Sequence, residues 1–216
     1  MSYTLKEKAY DTIRNKILKC EYAPNSYLNE KQLCEELNVS RTPIRDALSR
    51  LEQERLVTIL PKRGVLVSPV TTNEINMIYE TRILLEPYVI TTYGHKINGE
   101  KQDRLEEILL NSENNKNDIQ ALFDLDDEFH HLLLNLCENK YFLQTYAKIH
   151  AQNSRLRIIS GNYVDKRLKD SHTEHLTILD YIIKKDYKKA AKAMETHLLN
   201  SKESAFKAIL SSNISL

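Results

Sequence analysis

The segment "NVSRTPIRDALSRLEQERLV", residues 38–57, carries the pattern that decides the fold of the N-terminal part of the chain. Apolar residues recur in it at spacings of three and four, which predicts one buried stripe along a helix. These residues are Ile44, Ala47, Leu48 and Leu51. Ser40 or Thr42 is a suitable N-cap, and Pro43 falls in the first turn under either choice. The segment therefore predicts a helix that follows a tight turn.

The start of this helix carries positive charge that packing alone does not require. Arg41 and Arg45 are four residues apart and therefore share one face. Positive charge at a helix N-terminus opposes the helix dipole, which indicates another use for the two arginines. In a helix-turn-helix the second helix points its N-terminal end at DNA base edges, where arginine grips guanine or clamps a phosphate. A merely solvated helix start is the alternative interpretation.

The elements around this segment complete the pattern of a winged helix-turn-helix. Residues 3–20 have apolar residues at helical spacing, and Asn29 is a good N-cap for a short second helix. After the third helix the period changes, and two β-branched runs flank a turn that contains Pro61 and Gly64. These runs predict a small β-hairpin. The order helix, helix, turn, helix, hairpin is typical of a winged helix-turn-helix.

Further candidate DNA contacts lie at the ends of neighbouring elements. Thr42 has a hydroxyl suited to a phosphate oxygen or to its own helix cap. Lys31 begins the second helix, and Arg63 with Gly64 lies at the tip of the wing, so these residues are placed to contact the DNA backbone. The full predicted DNA-binding set is Lys31, Ser40, Arg41, Thr42, Arg45, Arg63 and Gly64.

From residue 71 onward the sequence has helical periodicity and no further strand signal. Helical stretches are predicted at about 71–97, 100–112, 118–138, 141–160, 165–185 and 187–210. About six antiparallel helices predict an all-α bundle. The expected fold class is therefore mainly α, with a winged helix-turn-helix domain over residues 1–70 and a helical bundle over residues 71–216.

Composition places the chain among ordinary globular proteins. Hydrophobic residues make up 41% and charged residues 28% of its 216 residues, and the net charge is +1. Residues 1–70 hold 12 Lys and Arg against 9 Asp and Glu, a modest excess that permits an N-terminal nucleic-acid-binding domain. The odd, widely spaced set of Cys20, Cys34 and Cys137 argues against a disulfide framework. With no signal peptide and no apolar run near ~18 residues, a cytoplasmic protein is expected.

Polar residues occupy apolar stripes in the C-terminal part. Asp126 and His130 are four apart on one helix face, and His175 and His197 lie on the stripes of two later helices. Burial of these groups without partners would be costly. A shared divalent metal removes that cost, because imidazole nitrogen and carboxylate oxygen suit Zn, Ni, Mn or Fe(II). The alternative is that each histidine is a hydrogen-bonded core residue.

These segments resemble the GntR family of bacterial transcription regulators. The run "YLNEKQLCEELNVSRTPIRDALSRLEQERLV" and the wing after it are similar to the family's winged-helix domain. The runs "LDDEFHHLLL", "TEHLTILDYIIKKDYKKAAKAMETHLLN" and "IYETRILLEPYVI" resemble the FCD ligand-binding domain of the FadR-type subgroup, and about six bundle helices resemble its shorter VanR-like branch. Asn25 and Arg55 depart from the pattern, since both stand where the family usually has glycine.

The resemblance implies roles for residues in both parts of the chain. Residues that match the family's operator contacts are Lys31, Arg41, Thr42, Arg45 and Gly64. Residues that match its metal ligands are Asp126, His130, His175 and His197. Arg82 matches an arginine that often pairs with the carboxylate of an effector, and its alternative is a helix-surface salt bridge with Glu86. Arg155 and Arg157 are weaker effector candidates, while His131 and His172 lie off the ligand stripes.

The sequence thus predicts a homodimeric repressor that binds a palindromic DNA operator. A small organic acid would bind in the bundle beside a divalent metal, with zinc the first choice. The chain is not expected to be an enzyme, because it has no HExxH and no obvious general base near the ligands. Two alternatives remain open: a metal-sensing regulator with no organic effector, and a metal-dependent enzyme.

Overall fold

A computed structural model describes residues 4–160 and 164–211 of the chain. These residues separate into two compact units. The first unit comprises the described residues up to 71 together with residues 150–159, and the second comprises the remaining described residues. None of the described helices is both long and apolar enough to cross a bilayer.

The first unit is a winged helix-turn-helix, as the sequence predicts. Its elements are α1 (Leu5–Leu18), β1 (Tyr27–Leu28), α2 (Glu30–Leu37), α3 (Arg41–Gln53), β2 (Val57–Leu60) and β3 (Gly64–Val67). The predicted hairpin is β2 with β3, and β3 also pairs with β1 in an antiparallel sheet of order β1-β3-β2. The sequence did not predict β1, because two residues are too few to show the alternation of a strand.

The core of this unit forms on the predicted stripe of α3. Ile44, Ala47, Leu48 and Leu51 are all buried. They belong to one core with apolar residues of α1 and of the strands, among them Ile13, Ile17, Val65 and Val67. Burial of one face of α3 leaves its polar face to solvent, so that Arg41 and Arg45 are exposed at the start of the helix.

Turns in this unit use left-handed backbone at residues other than glycine. Asn25 and Arg55, which stand where the family usually has glycine, have φ angles of 64° and 60°. A residue with a Cβ is disfavoured in this region, and Asn tolerates it better than most. The left-handed backbone at Asn25 and Arg55 therefore explains why the family prefers glycine at these two positions.

Ser40 occupies the N-cap position of α3, but its side chain makes no capping hydrogen bond.

The bundle helices follow residue 71. They are α4 (Thr72–Tyr93), α5 (Gly99–Asn114), α6 (Ile119–Leu134), α7 (Lys140–Ser160), α8 (Val164–Ile183) and α9 (Tyr187–Ser211). In the second unit α9 packs against α4 and α8, while α6 packs against α4 and α5. The predicted number of helices is right for the described residues.

Two of the predicted helices extend too far at their C-terminal ends. Helix α4 ends at Tyr93 and a short 3₁₀ turn follows. Glycine is needed at the start of that turn, because a Cβ at Gly94 would lie 2.5 Å from the ring of Tyr187. Helix α6 ends at Leu134 rather than at the predicted 138, so Cys137 lies beyond the helix. The thiol is buried there, and the Cys137 amide donates a hydrogen bond of 3.0 Å to the Leu134 carbonyl.

The second half of α7 belongs to the winged-helix unit, and no pattern in the sequence predicts this. Arg155 is fully buried there. Its Nη1 donates to Oε1 of Gln152 at 2.8 Å and its Nη2 donates to the carbonyl of Ser68. The amide of Gln152 donates in turn to the carbonyl of Arg55 at 3.4 Å. These bonds satisfy main-chain acceptors in the turn after α3 and in the chain after β3.

Candidate metal centre and DNA-contacting surface

Four side chains of the second unit converge within the bundle. They are Asp126 and His130 of α6, His175 of α8 and His197 of α9. Each offers one ligand-type atom, and these four atoms all lie within 4.8 Å of one another. All three histidines are buried, and Asp126 is partly buried. The structure thus brings together the four residues that the sequence proposed as one set.

Helical geometry and ring packing position these groups. Spacing of four residues places Asp126 and His130 one above the other on α6. The packing of α8 on α9 brings Nε2 of His175 to 3.3 Å from Nε2 of His197. The His175 ring stacks on Phe129 at a centroid distance of 4.1 Å, and its Nε2 lies 3.7 Å from Oδ1 of Asp126. Nε2 atoms of different helices are therefore directed toward one carboxylate.

Two carboxylates contact the Nδ1 atoms of two of the three histidines. Nδ1 of His130 lies 2.6 Å from Oε2 of Glu86, and Nδ1 of His197 lies 2.8 Å from Oε2 of Glu174. Because an ionised carboxylate only accepts hydrogen bonds, each Nδ1 is the protonated nitrogen and each Nε2 keeps its lone pair. This is the tautomer that a histidine needs in order to bind a metal through Nε2.

Arg167 supports the second of these contacts. Its Nη1 donates to Oε1 of Glu174 at 3.0 Å, and its Nη2 donates to Oε2 of the same residue and to Oγ of Ser201. Nη2 also lies 3.0 Å from Nδ1 of His197. We assign the Nδ1 proton of His197 to the Glu174 contact, because that contact is shorter and the guanidinium has two other acceptors.

The protonation states of the cluster follow from burial and from these partners. Burial lowers the pKa of His197 to about 4 and holds the pKa of His175 well below its usual 6.5. Burial alone would raise the pKa of Glu174, yet hydrogen bonds from His197, Arg167 and Asn200 lower it to about 2. Near neutral pH these two imidazoles are therefore uncharged, which is the form that binds a cation.

The cluster has the features of a site for a divalent cation. Nε2 of His130 is buried and has no hydrogen-bond partner among the described residues. It lies 4.0 Å from Oδ2 of Asp126, whose Oδ1 accepts a hydrogen bond of 3.0 Å from Ser171. Imidazole nitrogens together with a carboxylate oxygen are ligands that suit first-row divalent metals. The residues present therefore fit a metal, which would satisfy the orphaned nitrogen.

Arg82 contacts the cluster indirectly, through Glu86. The sequence left two interpretations open for it, an effector contact and a surface salt bridge with Glu86. The salt bridge exists, with Nε of Arg82 2.6 Å from Oε1 of Glu86, but both side chains are buried and the pair does not lie on the surface. Burial would raise the pKa of Glu86, yet Arg82 and His130 together lower it to about 2. A chain of contacts therefore runs from Arg82 through Glu86 to His130.

The other two predicted effector residues are grouped with the winged-helix unit. Arg155 and Arg157 lie in the α7 segment that belongs to the winged-helix unit. The guanidinium of Arg155 bonds to Gln152 and to the Ser68 carbonyl. Nη2 and Nε of Arg157 lie 3.1 and 3.2 Å from the side-chain amide of Asn153, oriented so that its oxygen accepts.

Two further histidines lie off the ligand set, as predicted. The ring of His131 packs edge-on against Tyr146 at a centroid distance of 5.4 Å. Nε2 of His172 lies 3.4 Å from Oε2 of Glu113. Neither contributes to the group of four.

Sequence reasoning missed the residues that orient the ligands. These are Glu86, Glu174, Ser171 and Arg167. Glu174 precedes His175 in the sequence, but it serves a histidine on the next helix, and only the packing of α8 on α9 reveals that. Glu86 carried a usable signal, because it lies four residues after Arg82 in a helix with many apolar residues.

The first unit presents a cationic helix start. Ser40, Arg41, Thr42 and Arg45 are all exposed there. Nε of Arg45 lies 3.0 Å from Oε2 of Glu30, and Nζ of Lys31 lies 3.8 Å from Oε1 of Glu35. Such exposed ion pairs are weak, so both cations are available to exchange a carboxylate for a phosphate.

The wing presents a second group of cations. Arg63 is exposed at the β2–β3 turn, and the neighbouring Lys62, which the sequence analysis did not single out, is exposed with a φ of 66°. Gly64 has a φ of 98°, and a Cβ at this position would lie 3.0 Å from the carbonyl oxygen of Leu28. Glycine is therefore required here by the backbone and by the pairing of β3 with β1.

A winged helix with exposed cations on its recognition helix, joined in one chain to a helical bundle, defines a DNA-binding transcription regulator. The family model "Bacterial regulatory proteins, gntR family" matches residues 5–67, and the model "FCD domain" matches residues 77–200. The chain belongs to the GntR family of regulators that carry an FCD domain.

Relatives and solved structures agree with this assignment. The HTH-type transcriptional repressor RspR of Escherichia coli K12 is 28% identical over 200 residues, which cover 92% of this chain and 87% of RspR. A GntR transcriptional regulator from Rhodococcus sp. RHA1 shares the fold with a TM-score of 0.80 at 19% identity, covering 94% of this chain and 98% of that one. The metal-free FCD domain of TM0439 has a TM-score of 0.58 at 23% identity, covering 67% of this chain and 99% of that domain.

The lowered histidine pKa values predict a loss of bundle stability in weak acid. In the unfolded chain a histidine takes up a proton below about pH 6.5, whereas His197 in the folded bundle does so only near pH 4. Stability is therefore full above pH 6.5 and falls as the pH is lowered toward 4, by up to about 1.4 kcal/mol per pH unit for each such proton. Denaturant unfolding in EDTA, followed by circular dichroism between pH 7.5 and 5, measures this slope.

A single substitution identifies the source of the slope. His197→Leu should make it shallower by about one proton, because the unfolded chain then has one fewer histidine to protonate in this range. The carboxylates of Glu86 and Glu174 do not contribute in this range, because their stabilisation is lost only below their unfolded pKa. An unfolding free energy that stays flat from pH 6.5 to 5 would contradict the assignment.

Proposed function

We propose that the protein is a homodimeric, cytoplasmic repressor that binds a divalent metal in its bundle and a palindromic operator through its winged helices. A small carboxylate-bearing metabolite bound at the metal controls the affinity for the operator. The observation that carries the proposal is the set of four converging ligand atoms, in which carboxylates fix the tautomers of two of the three histidines. The family relation supports the regulatory role.

The metal would be held by Asp126, His130, His175 and His197. In metals that prefer six ligands, such as Mn, Fe(II) and Ni, four protein ligands leave positions for an exogenous carboxylate. Zinc, the first choice from the sequence, must expand from four to five ligands to accept one. When bound, the metal supplies positive charge that attracts a carboxylate. To weaken operator binding a hundredfold, the effector must favour the DNA-incompetent arrangement by about 2.7 kcal/mol.

A regulator that senses the metal itself is the second candidate. The buried pairing of Arg82 with Glu86 favours it, because that guanidinium already serves a carboxylate that orients His130. Titration of the metal against operator retardation, with no organic acid present, separates the two candidates. A metal sensor switches with the metal alone, whereas the effector-controlled repressor, once loaded with metal, switches only when an acid is added.

The operator would be contacted by the start of α3 and by the wing. Arg41 and Arg45 would enter the major groove, and Lys31, Ser40, Thr42 and Arg63 would contact the backbone, with Gly64 shaping the wing tip. The exposure of the cationic side chains in this set and the weakness of their ion pairs support these roles.

Replacement of both arginines tests the recognition helix. Arg41→Ala with Arg45→Ala is expected to lower specific affinity for promoter DNA by about 100-fold or more, since each good base contact is worth about 1–3 kcal/mol. Electrophoretic mobility shift at several salt concentrations measures the loss. Arg50→Ala is the matched control, because Arg50 is also exposed on α3 but covers the ring of Tyr10 at 3.7 Å. Equal operator affinity in the double variant and the wild type would refute the assignment.

Metal content tests the bundle site. His175→Ala is expected to reduce bound metal per protomer strongly, because it removes a buried ligand and leaves a gap beside Phe129. His131→Ala, which alters a histidine outside the ligand set, should keep full content. Elemental analysis of protein purified without chelator gives both values and identifies the metal. Full occupancy in His175→Ala would exclude the proposed ligand set.

Helix α4 supplies a candidate surface for the homodimer. Met77, Leu84 and Tyr88 lie within about 40° of one another around the helix and are 42%, 67% and 47% exposed. Leu84→Glu is therefore expected to shift the protein from dimer to monomer in sedimentation equilibrium, because a charge would be buried at the interface. Leu110→Glu, at an equally exposed leucine of α5, is the control. A dimer that persists in Leu84→Glu would place the interface elsewhere.

A further inference from the structure

The bundle has a recess at the surface between α5, α6 and α8. Its volume is about 520 Å³, and Glu113, Lys116, Ile119 and Lys169 lie around it. Directly inside lies a void of about 20 Å³ whose lining includes Asp126, Ser171 and His175. Four residues line both spaces: Ser112, Leu122, Leu168 and His172. The inner void is therefore lined by two of the candidate metal ligands and shares part of its wall with the surface recess.

The size of the inner void decides what can pass through it. A cavity needs roughly 10–15 Å³ to hold one water molecule, so a void of about 20 Å³ admits a water or a partly dehydrated cation. An organic acid with several carbon atoms does not fit. The passage therefore suits exchange of the metal and its water, and an effector of the kind proposed above would need another route.

His172 is one of the four residues that line both spaces. Its Nε2 lies 3.4 Å from Oε2 of Glu113, whose other oxygen pairs with Nζ of Lys116. The opposite ring nitrogen, Nδ1, is buried and has no hydrogen-bond partner among the described residues. The ring therefore contacts a carboxylate on α5 through one atom, and this contact can break at low cost because Glu113 and Lys116 are exposed.

We infer that this recess is the entrance by which a divalent cation reaches the bundle site, and that His172 with Glu113 forms its gate. The inference rests on the proposed metal site. Imidazole and carboxylate are themselves ligands for such cations, so the gate can hold the ion while the ring moves aside. Lys116 and Lys169 add positive charge to the recess, so charge alone does not draw cations into it.

Metal release from the full-length protein tests the gate. Zn²⁺-loaded protein is mixed with an excess of a chromogenic chelator, and release is followed by absorbance. His172→Ala is expected to release zinc about tenfold faster or more, because it removes a ring that lines both the surface recess and the inner void. Its zinc content at equilibrium should match that of the wild type, since His172 is not a ligand. Glu113→Ala, which frees the ring, should change the rate in the same direction, and His131→Ala should not change it.

The outcomes separate this inference from the proposed function. Normal zinc content with an unchanged release rate in His172→Ala overturns the gate and leaves the metal site intact. A wild-type protein that binds no zinc or other divalent metal overturns both. If His172→Ala does not fold, Leu168→Ala removes another residue that lines both spaces and should give the same faster release. An unchanged rate in that variant also overturns the gate.

Discussion

The bundle site depends on one constraint: an ionised carboxylate accepts hydrogen bonds and does not donate them. Glu86 and Glu174 therefore fix the proton of His130 and His197 on Nδ1 and direct each Nε2 toward the space that the ligand atoms share. Arg82 and Arg167 in turn keep the two carboxylates ionised despite burial. The site is thus prepared for a cation by groups that do not touch it.

The same arrangement explains why polar residues interrupt apolar stripes in this bundle. Buried charges are costly unless each one has a partner, and here they form pairs and chains. The orphaned Nε2 of His130 is the exception among the groups of the cluster, and a bound metal would remove it. The winged helix differs from the bundle, because its core is apolar and its charged residues lie at the surface. The two units therefore place charge differently, one in a buried cluster that fits a cation and the other on an exposed surface.

Several features could be predicted from the sequence because they are local. The stripe of α3 and the four-residue spacing of Arg41 and Arg45 predicted the recognition helix. Polar residues on apolar stripes predicted one candidate ligand set, and the family resemblance matched the same four residues: Asp126, His130, His175 and His197. Helix ends were less certain: α6 stops at Leu134 rather than 138, because periodicity continues past the residues that keep helical hydrogen bonds.

The sequence by itself determined which residues could share a helix face, since helical and strand periods are properties of neighbouring residues. It thereby determined the winged helix, the polar stripes and the cationic start of α3. Only the tertiary structure decided which stripes meet, because packing joins residues far apart in the chain. It placed Arg82 in a buried pair and Glu174 behind His197, and it assigned Arg155 to the winged-helix unit. No local pattern distinguishes a carboxylate that orients a ligand from one that faces solvent.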